Sequence, residues 1–172
     1  MIILIDTREQ SPLTFPPSVG IFTQRVALPT GDYSLGGFAQ RVAVERKSCA
    51  DAIASVRSGR KRFAREWERM AEIVAAGGFA AVLIECSRDA FVGACEARGK
   101  EAAGVLGTYK SWSDRHNVPV VFAPGRQAAA AWLVDFLREA HEELSSAMAP
   151  EEPPSCQSNF SRRKPPGGVI GR

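Results

Sequence analysis

Gly31-Asp32-Tyr33-Ser34-Leu35, followed by Val42-Ala43-Val44-Glu45-Arg46-Lys47-Ser48 and then Asp51, is the stretch on which the reading of this chain turns. Residues 33–35 and 40–46 read as the two strands of a hairpin turned around Gly36-Gly37, whose glycines tolerate the positive φ that such turns need. Side chains alternate across a strand, so Glu45 and Lys47 share one face while Val42, Val44 and Arg46 share the other. In an antiparallel pair, Asp32 at the start of one strand and Glu45 near the end of the next can lie close together, as ligands of one metal ion must. Carboxylates so placed suit Mg²⁺ or Mn²⁺, and a lysine ammonium beside them can position or activate a water and neutralise developing charge. That is chemistry suited to phosphodiester hydrolysis. A Glu-x-Lys pair alone is also what an ordinary edge strand with an exposed, weak salt bridge would carry.

The neighbouring residues add to the pattern. On the N-terminal side, Ile2 to Ile5 form a short apolar strand that ends in Asp6-Thr7-Arg8-Glu9, two more carboxylates and an arginine at a strand end. On the C-terminal side, Ser48 can cap a helix beginning at Cys49, with Asp51 in its first turn, where the macrodipole favours a carboxylate. That helix breaks near Ser58-Gly59, within a Ser55-x-x-x-Gly59-Arg60 element. Residues 60–76 form an amphipathic helix with Phe63, Trp67, Met70 and Val74 along one stripe. Lys61, Arg62, Arg65 and Arg69 lie on its far side, partly balanced by Glu66, Glu68 and Glu72, as a solvated face would be. The net charge of +3 is unevenly spread: residues 45–70 carry +4, eight basic against four acidic, while 1–44 are neutral, 71–144 carry −3 and 145–172 carry +2. Positive charge is thus concentrated where a phosphate backbone would have to lie against the Glu-Arg-Lys block.

The remaining chain reads as a loop over 11–18, a strand over 21–28, and a continuously apolar, central strand over 79–85. Residues 88–96 read as a short helix or loop. Residues 100–115 read as a helix whose Leu106, Tyr109 and Trp112 are core rather than base-stacking surfaces. A buried strand follows over 118–123, and a final helix over 127–144 carries Trp132, Phe136 and Leu137. No internal repeat is present. Beyond Ser145, Pro150, Pro153, Pro154, Pro165 and Pro166 interrupt any periodicity, so 1–144 read as one domain and 145–172 as a disordered tail. The tail's Ser161-Arg162-Arg163-Lys164 is a solubilising patch or a phosphate contact. A chain of 172 residues can bury a good core. Cys49, Cys86, Cys95 and Cys156 form no Cys-x-x-Cys pair, and with His116 and His141 they make no zinc pattern, so reduced and mostly buried thiols are expected. No signal peptide opens the chain and no apolar run is long enough for a membrane span. A soluble intracellular protein is expected, cytoplasmic in a prokaryote or virus and nuclear in a eukaryote.

Taken together, Ile5-Asp6-x-Arg8-Glu9, Gly31-Asp32-Tyr33-Ser34-Leu35, Val44-Glu45-Arg46-Lys47-Ser48-x-x-Asp51 and Ser55-x-x-x-Gly59-Arg60 resemble the nuclease domain of the XPF family of structure-selective endonucleases. The resemblance runs from Ile2 to about Glu85 and more loosely beyond. It implies a three-layer α/β fold of the restriction-endonuclease-like superfamily, with a mixed central sheet flanked by helices. It implies a Mg²⁺- or Mn²⁺-dependent DNA endonuclease of DNA repair or recombination, selective for branched or flap DNA. Asp6, Asp32 and Glu45 would be metal ligands, Glu9 would help through water, and Lys47 would position the attacking water. Arg8 and Arg46 would steady phosphate or acidic partners, and Asp51 would join the site or serve only its helix. Arg57, Arg60, Lys61, Arg62 and Arg65 would contact DNA. Relatives often carry a glutamine on the following helix, where this chain has Ala64 and Arg65. Glu85 resembles the glutamate that closes the equivalent strand, a structural or supporting residue. No stretch here matches the C-terminal helix-hairpin-helix module of many members, so a homodimer or a heterodimer would form through the nuclease domain, if at all. Two other readings stand beside this one. The chain could be a catalytically inactive DNA-binding or dimerisation partner, although such copies are expected to lose acidic or lysine positions that are present here. It could also be a small junction-resolving or restriction-type nuclease, against which the Ile-Asp-x-Arg-Glu and Gly-Asp-Tyr blocks argue.

Overall fold

The structure, a computed structural model, describes residues 1–15, 20–56 and 59–148. The alternating strands and helices of the chain build a six-stranded sheet in the order β2-β1-β3-β4-β5-β6. Its strands are β1 (Ile2–Asp6), β2 (Phe22–Val26), β3 (Tyr33–Leu35), β4 (Val42–Ser48), β5 (Phe79–Glu85) and β6 (Val120–Phe122). The hairpin forms as expected, with β3 antiparallel to β4 and also to β1, whereas β1–β2, β4–β5 and β5–β6 are parallel.

The helices are α1 (Cys49–Ser55), α2 (Arg60–Ala75), α3 (Arg88–Glu96), α4 (Ala102–His116) and α5 (Arg126–Met148). The period-two alternation of β4 sorts its side chains between the two faces of the sheet. Ala43 faces a core shared with α1 to α4, where Phe63, Trp67, Phe91, Tyr109 and Trp112 meet. Val42 and Val44 face a second core, made with Ile3, Ile5, Tyr33 and Leu35 against Leu133 and Leu137 of α5. The result is three layers, with four helices on one side of the sheet and α5 on the other. β5 is central and buried on both faces, as its unbroken apolar run predicts.

Several elements differ from the sequence reading. The ambiguous segment 88–96 is a helix, started by Ser87, whose Oγ accepts from the Ala90 N–H at 3.1 Å. The expected buried strand over 118–123 shrinks to three partly exposed residues, because β6 lies at the sheet edge and pairs only with β5. β2 is the opposite edge, and Phe22 stands 67% exposed on it. In α4, Val105 is buried beside Tyr109 and Trp112, and Leu106 packs against the same core while only partly buried. α5 continues to Met148, past the expected domain end at 144, with Ala140 and Leu144 still buried. The proposed tail from 149 onward, including Ser161–Lys164 and Cys156, lies outside the described residues. Among the described cysteines, Cys49, Cys86 and Cys95 are free thiols. No helix among the described residues is long and apolar enough to cross a membrane.

Candidate active site

The site begins with a glycine. Gly31 has φ +75°, and a Cβ on it would stand 2.9 Å from the Val44 carbonyl oxygen, so only glycine lets the chain cross β4 this closely. That crossing sets Asp32. Its N–H donates to the Val44 carbonyl at 2.9 Å, and its own carbonyl accepts from the Asp6 N–H at 2.8 Å. Asp32 Oδ2 accepts from the Arg46 N–H at 2.8 Å. No hydrogen bond among the described residues reaches Oδ1.

Glu45 and Lys47 project from the same face of β4, as alternation requires, and both are buried. Lys47 Nζ donates to Glu45 Oε1. The ammonium also lies 4.7 Å from the centroid of the Phe63 ring. Asp32, Glu45 and Lys47 line one cleft with Arg8, Glu9 and Asp51, and its volume is about 500 Å³.

Burial pushes the carboxyl groups of Asp32 and Glu45 up from the usual range; the charge of Asp32 adds to the rise at Glu45, and the Arg46 N–H bond opposes it at Asp32. For Lys47, burial works downward, but the Glu45 and Glu66 carboxylates more than offset it, so its pKa stands above the ordinary lysine value. Lys47 is therefore an ammonium at neutral pH, a proton donor rather than a base.

Asp6 is the residue that the structure sets apart. Its Oδ1 accepts from the Arg8 N–H and Nε, both at 2.7 Å. Its Oδ2 accepts from Arg8 Nη2 at 2.8 Å and from the Leu28 N–H at 2.7 Å. The Arg8 hydrogen bonds hold its carboxyl at about 2, well below the usual carboxylate range, although burial works the other way. Asp6 is buried and is not among the residues lining the cleft. With both oxygens occupied, it ties the loop after β1 to Leu28 instead of standing with Asp32 and Glu45, contrary to its expected place as a ligand.

Glu9 and Arg46 are likewise paired off. Glu9 accepts from the Ser11 N–H at 2.6 Å and from Arg46 Nε and Nη2, each at 3.2 Å. Arg46 Nη1 bonds Glu85, which lies 3.5 Å from Arg126 Nη1 at the start of α5. This chain of charges joins the loop after β1, β4, the end of β5 and α5, with Glu9 and Arg46 lining the cleft. Asp51 is tied to the cap of its own helix: its N–H donates to Oγ of the N-cap Ser48 at 3.1 Å, and the Ser48 hydroxyl donates to Asp51 Oδ2 at 2.6 Å.

Among the described residues, no three of His, Cys, Asp and Glu are gathered as a metal-holding set. What the cleft offers is a pair, Asp32 and Glu45, whose charged forms are disfavoured by burial and, at Glu45, by its neighbour's charge. That donor set suits Mg²⁺, which keeps several waters and takes one or two carboxylates together with phosphate oxygens.

The expected DNA contacts on α2 (Arg60, Lys61, Arg62 and Arg65) are all exposed. Arg62 lines the cleft, and the Arg60 guanidinium carbon sits 5.6 Å from the Trp112 ring centroid. Arg57 lies outside the described residues. Glu66 and Phe63 are cleft residues that the sequence reading passed over, counting one as charge balance and the other as core. Their i, i+3 spacing places them on one side of the helix and was the available signal. A larger cavity, about 710 Å³, lies against α5, lined by Phe15, Ile21, Ala130 and Val134. It gathers no carboxylate pair, so its size does not make it the site.

Residues 5–136 match the family model of the ERCC4 domain. In structure, the chain is similar to XPF from Aeropyrum pernix in complex with DNA, with TM-score 0.59 and 19% identity over 83% of this chain and 66% of that one. It is similar also to XPF from Aeropyrum pernix alone, with TM-score 0.65 and 18% identity over 90% of this chain and 68% of that one. No match was found among curated proteins. The three layers and mixed sheet are those of the restriction-endonuclease-like fold.

Proposed function

Because the chain belongs to the ERCC4 domain family, we propose that it is a metal-dependent DNA endonuclease that hydrolyses phosphodiester bonds, preferring branched or flap DNA. The observation that carries this reading is the cleft itself. It joins the partly buried Asp32 and the buried Glu45 to an ammonium, Lys47, at the foot of an exposed basic helix face. The similarity to an XPF solved with DNA supports a DNA substrate. This chain spans about two thirds of those XPF chains, so the choice of branched DNA is carried over as part of the proposal.

Asp32 and Glu45 would hold Mg²⁺ or Mn²⁺. Such a cation supplies a lowered pKa to a bound water and neutralises charge on the phosphate. Lys47 donates a hydrogen bond to the attacking water or to a phosphate oxygen as charge develops there. Arg8, whose side chain is 72% exposed while it holds Asp6, can steady a phosphate at the rim. Asp6 keeps that loop in place, and Glu9 and Arg46 brace β4. In-line attack would leave a 5′-phosphate and a 3′-hydroxyl. Dimerisation through the nuclease domain belongs to the same proposal.

The test is cleavage of flap, fork, junction and linear DNAs by the parent, Asp32→Asn and Lys47→Met, with Mg²⁺ and with excess EDTA, at matched DNA occupancy. Cleavage should require Mg²⁺ or Mn²⁺, and each variant should lose on the order of 10²–10³ in rate. Equal rates in all three proteins, or full activity in chelator, would overturn the assignment. A parent that binds branched DNA without cutting it would favour the inactive-partner reading.

A further inference from the structure

Glu66 enters the cleft from α2 with a carboxylate oxygen that the proposed reaction does not use. Its Oε2 is buried and has no hydrogen-bond partner among the described residues. It lies 3.8 Å from Lys47 Nζ, close enough for an ion pair and too far for a hydrogen bond. Both side chains are largely covered, Lys47 at 9% exposure and Glu66 at 16%. Lys47 has three ammonium protons, and the carboxylates it pairs with among the described residues are Glu45 and Glu66. A cation held by Asp32 and Glu45 would compete with Lys47 for Glu45, and a buried ammonium that loses its carboxylate needs another.

We infer that Glu66 is a positioning residue: it receives the Lys47 ammonium when Glu45 turns to a cation, and so keeps the ammonium in the cleft beside the phosphate. The inference rests on the nuclease reading above. A small rotation of the flexible lysine side chain closes the gap, and the Phe63 ring beneath Nζ keeps the ammonium in the cleft throughout.

The experiment uses the full chain and compares the parent with Glu66→Gln, Lys47→Met and the double variant. Three readouts are taken: Mn²⁺ affinity without DNA, the Lys47 ammonium signal in ¹⁵N-detected spectra with Mg²⁺ added, and kcat with KM on DNA. In the parent the ammonium signal should persist when Mg²⁺ is added, and in Glu66→Gln it should vanish through fast exchange. Mn²⁺ affinity and KM should stay within about threefold, while kcat falls about 10- to 100-fold, the scale of a misplaced catalytic group. In the Lys47→Met background, Glu66→Gln should cost nothing further, because the residue acts through the lysine. A tenfold loss of Mn²⁺ affinity in Glu66→Gln would make Glu66 a cation ligand and overturn the inference. Additive losses in the double variant, or an ammonium signal indifferent to Glu66, would overturn it as well. A parent that binds Mn²⁺ but cuts no DNA defeats the nuclease reading instead, and the ammonium signal still judges Glu66.

Discussion

Gly31 and Asp6 shape the cleft without lining it, and each makes a prediction at the scale of one residue. A methyl group at position 31 would press on the Val44 carbonyl at 2.9 Å while holding φ at +75°. Gly31→Ala should therefore cost about 1–3 kcal/mol in denaturant unfolding, and it should lower activity by moving Asp32. Asp6 titrates at about 2 in the folded protein against 3.8 for an ordinary aspartate. Its folded value is depressed, so it contributes stability that is present above 3.8 and lost as pH falls through about 2. Asp6→Asn should be less stable than the parent at neutral pH, by roughly 1.5–3 kcal/mol for hydrogen bonds to a charged group. The difference should close between these two pH values in a series of thermal melts. A gap that stays constant to the lowest pH would remove the Asp6 charge from the account.

At the scale of elements, α2 divides its labour by face. Phe63, Trp67 and Met70 are buried, and Arg60, Lys61 and Arg65 are exposed, with no ion pair to any of these three among the described residues. Reversing all three charges to Glu should weaken DNA binding and flatten the slope of log K against log salt by about 0.9 for each phosphate that is no longer neutralised. The fold should survive with a small penalty of about 0.5–1 kcal/mol, because Arg60 also lies over the Trp112 ring. Unchanged affinity and salt slope would leave that face merely solvated. α1 depends on its cap: Ser48 Oγ accepts from the Asp51 N–H, so Ser48→Ala should cost about 1 kcal/mol of stability.

At the scale of the whole molecule, the two cores on either face of the sheet use apolar residues as far as Leu144. Removing residues 149–172 is therefore expected to leave the melting temperature within about 2 °C of the parent. Ending the chain at 139 removes Ala140 and Leu144 from the α5 core, where they are 0% and 3% exposed. The loss of a buried leucine, about 1.5–3 kcal/mol, should lower the midpoint by roughly 4–10 °C. A large fall on the first truncation would show that residues beyond 148 pack against the core after all.

Alternation and apolar periodicity made most of this fold legible. The faces of β4, the central place of β5, the capped start of α1 and the core stripe of α2 all follow from spacing, because pleat and helix pitch are local properties of the backbone. The approach of Asp32 to Glu45 was legible too, since Gly31 and the hairpin are close in sequence. The rest depended on which groups meet in the folded chain, whether near in sequence or far along it. Whether a carboxylate at a strand end faces the cleft or is bound elsewhere depends on what meets it. Leu28 and Arg8 take both oxygens of Asp6, whereas Arg46 takes one oxygen of Asp32. The short exposed β6 and the long α5 were settled by their places at the sheet edge and over the second core. Glu66 looked like charge balance on a helix surface; only the packing of α2 against β4 brought its carboxylate to Lys47, because proximity across layers is a property of tertiary packing and leaves no local pattern.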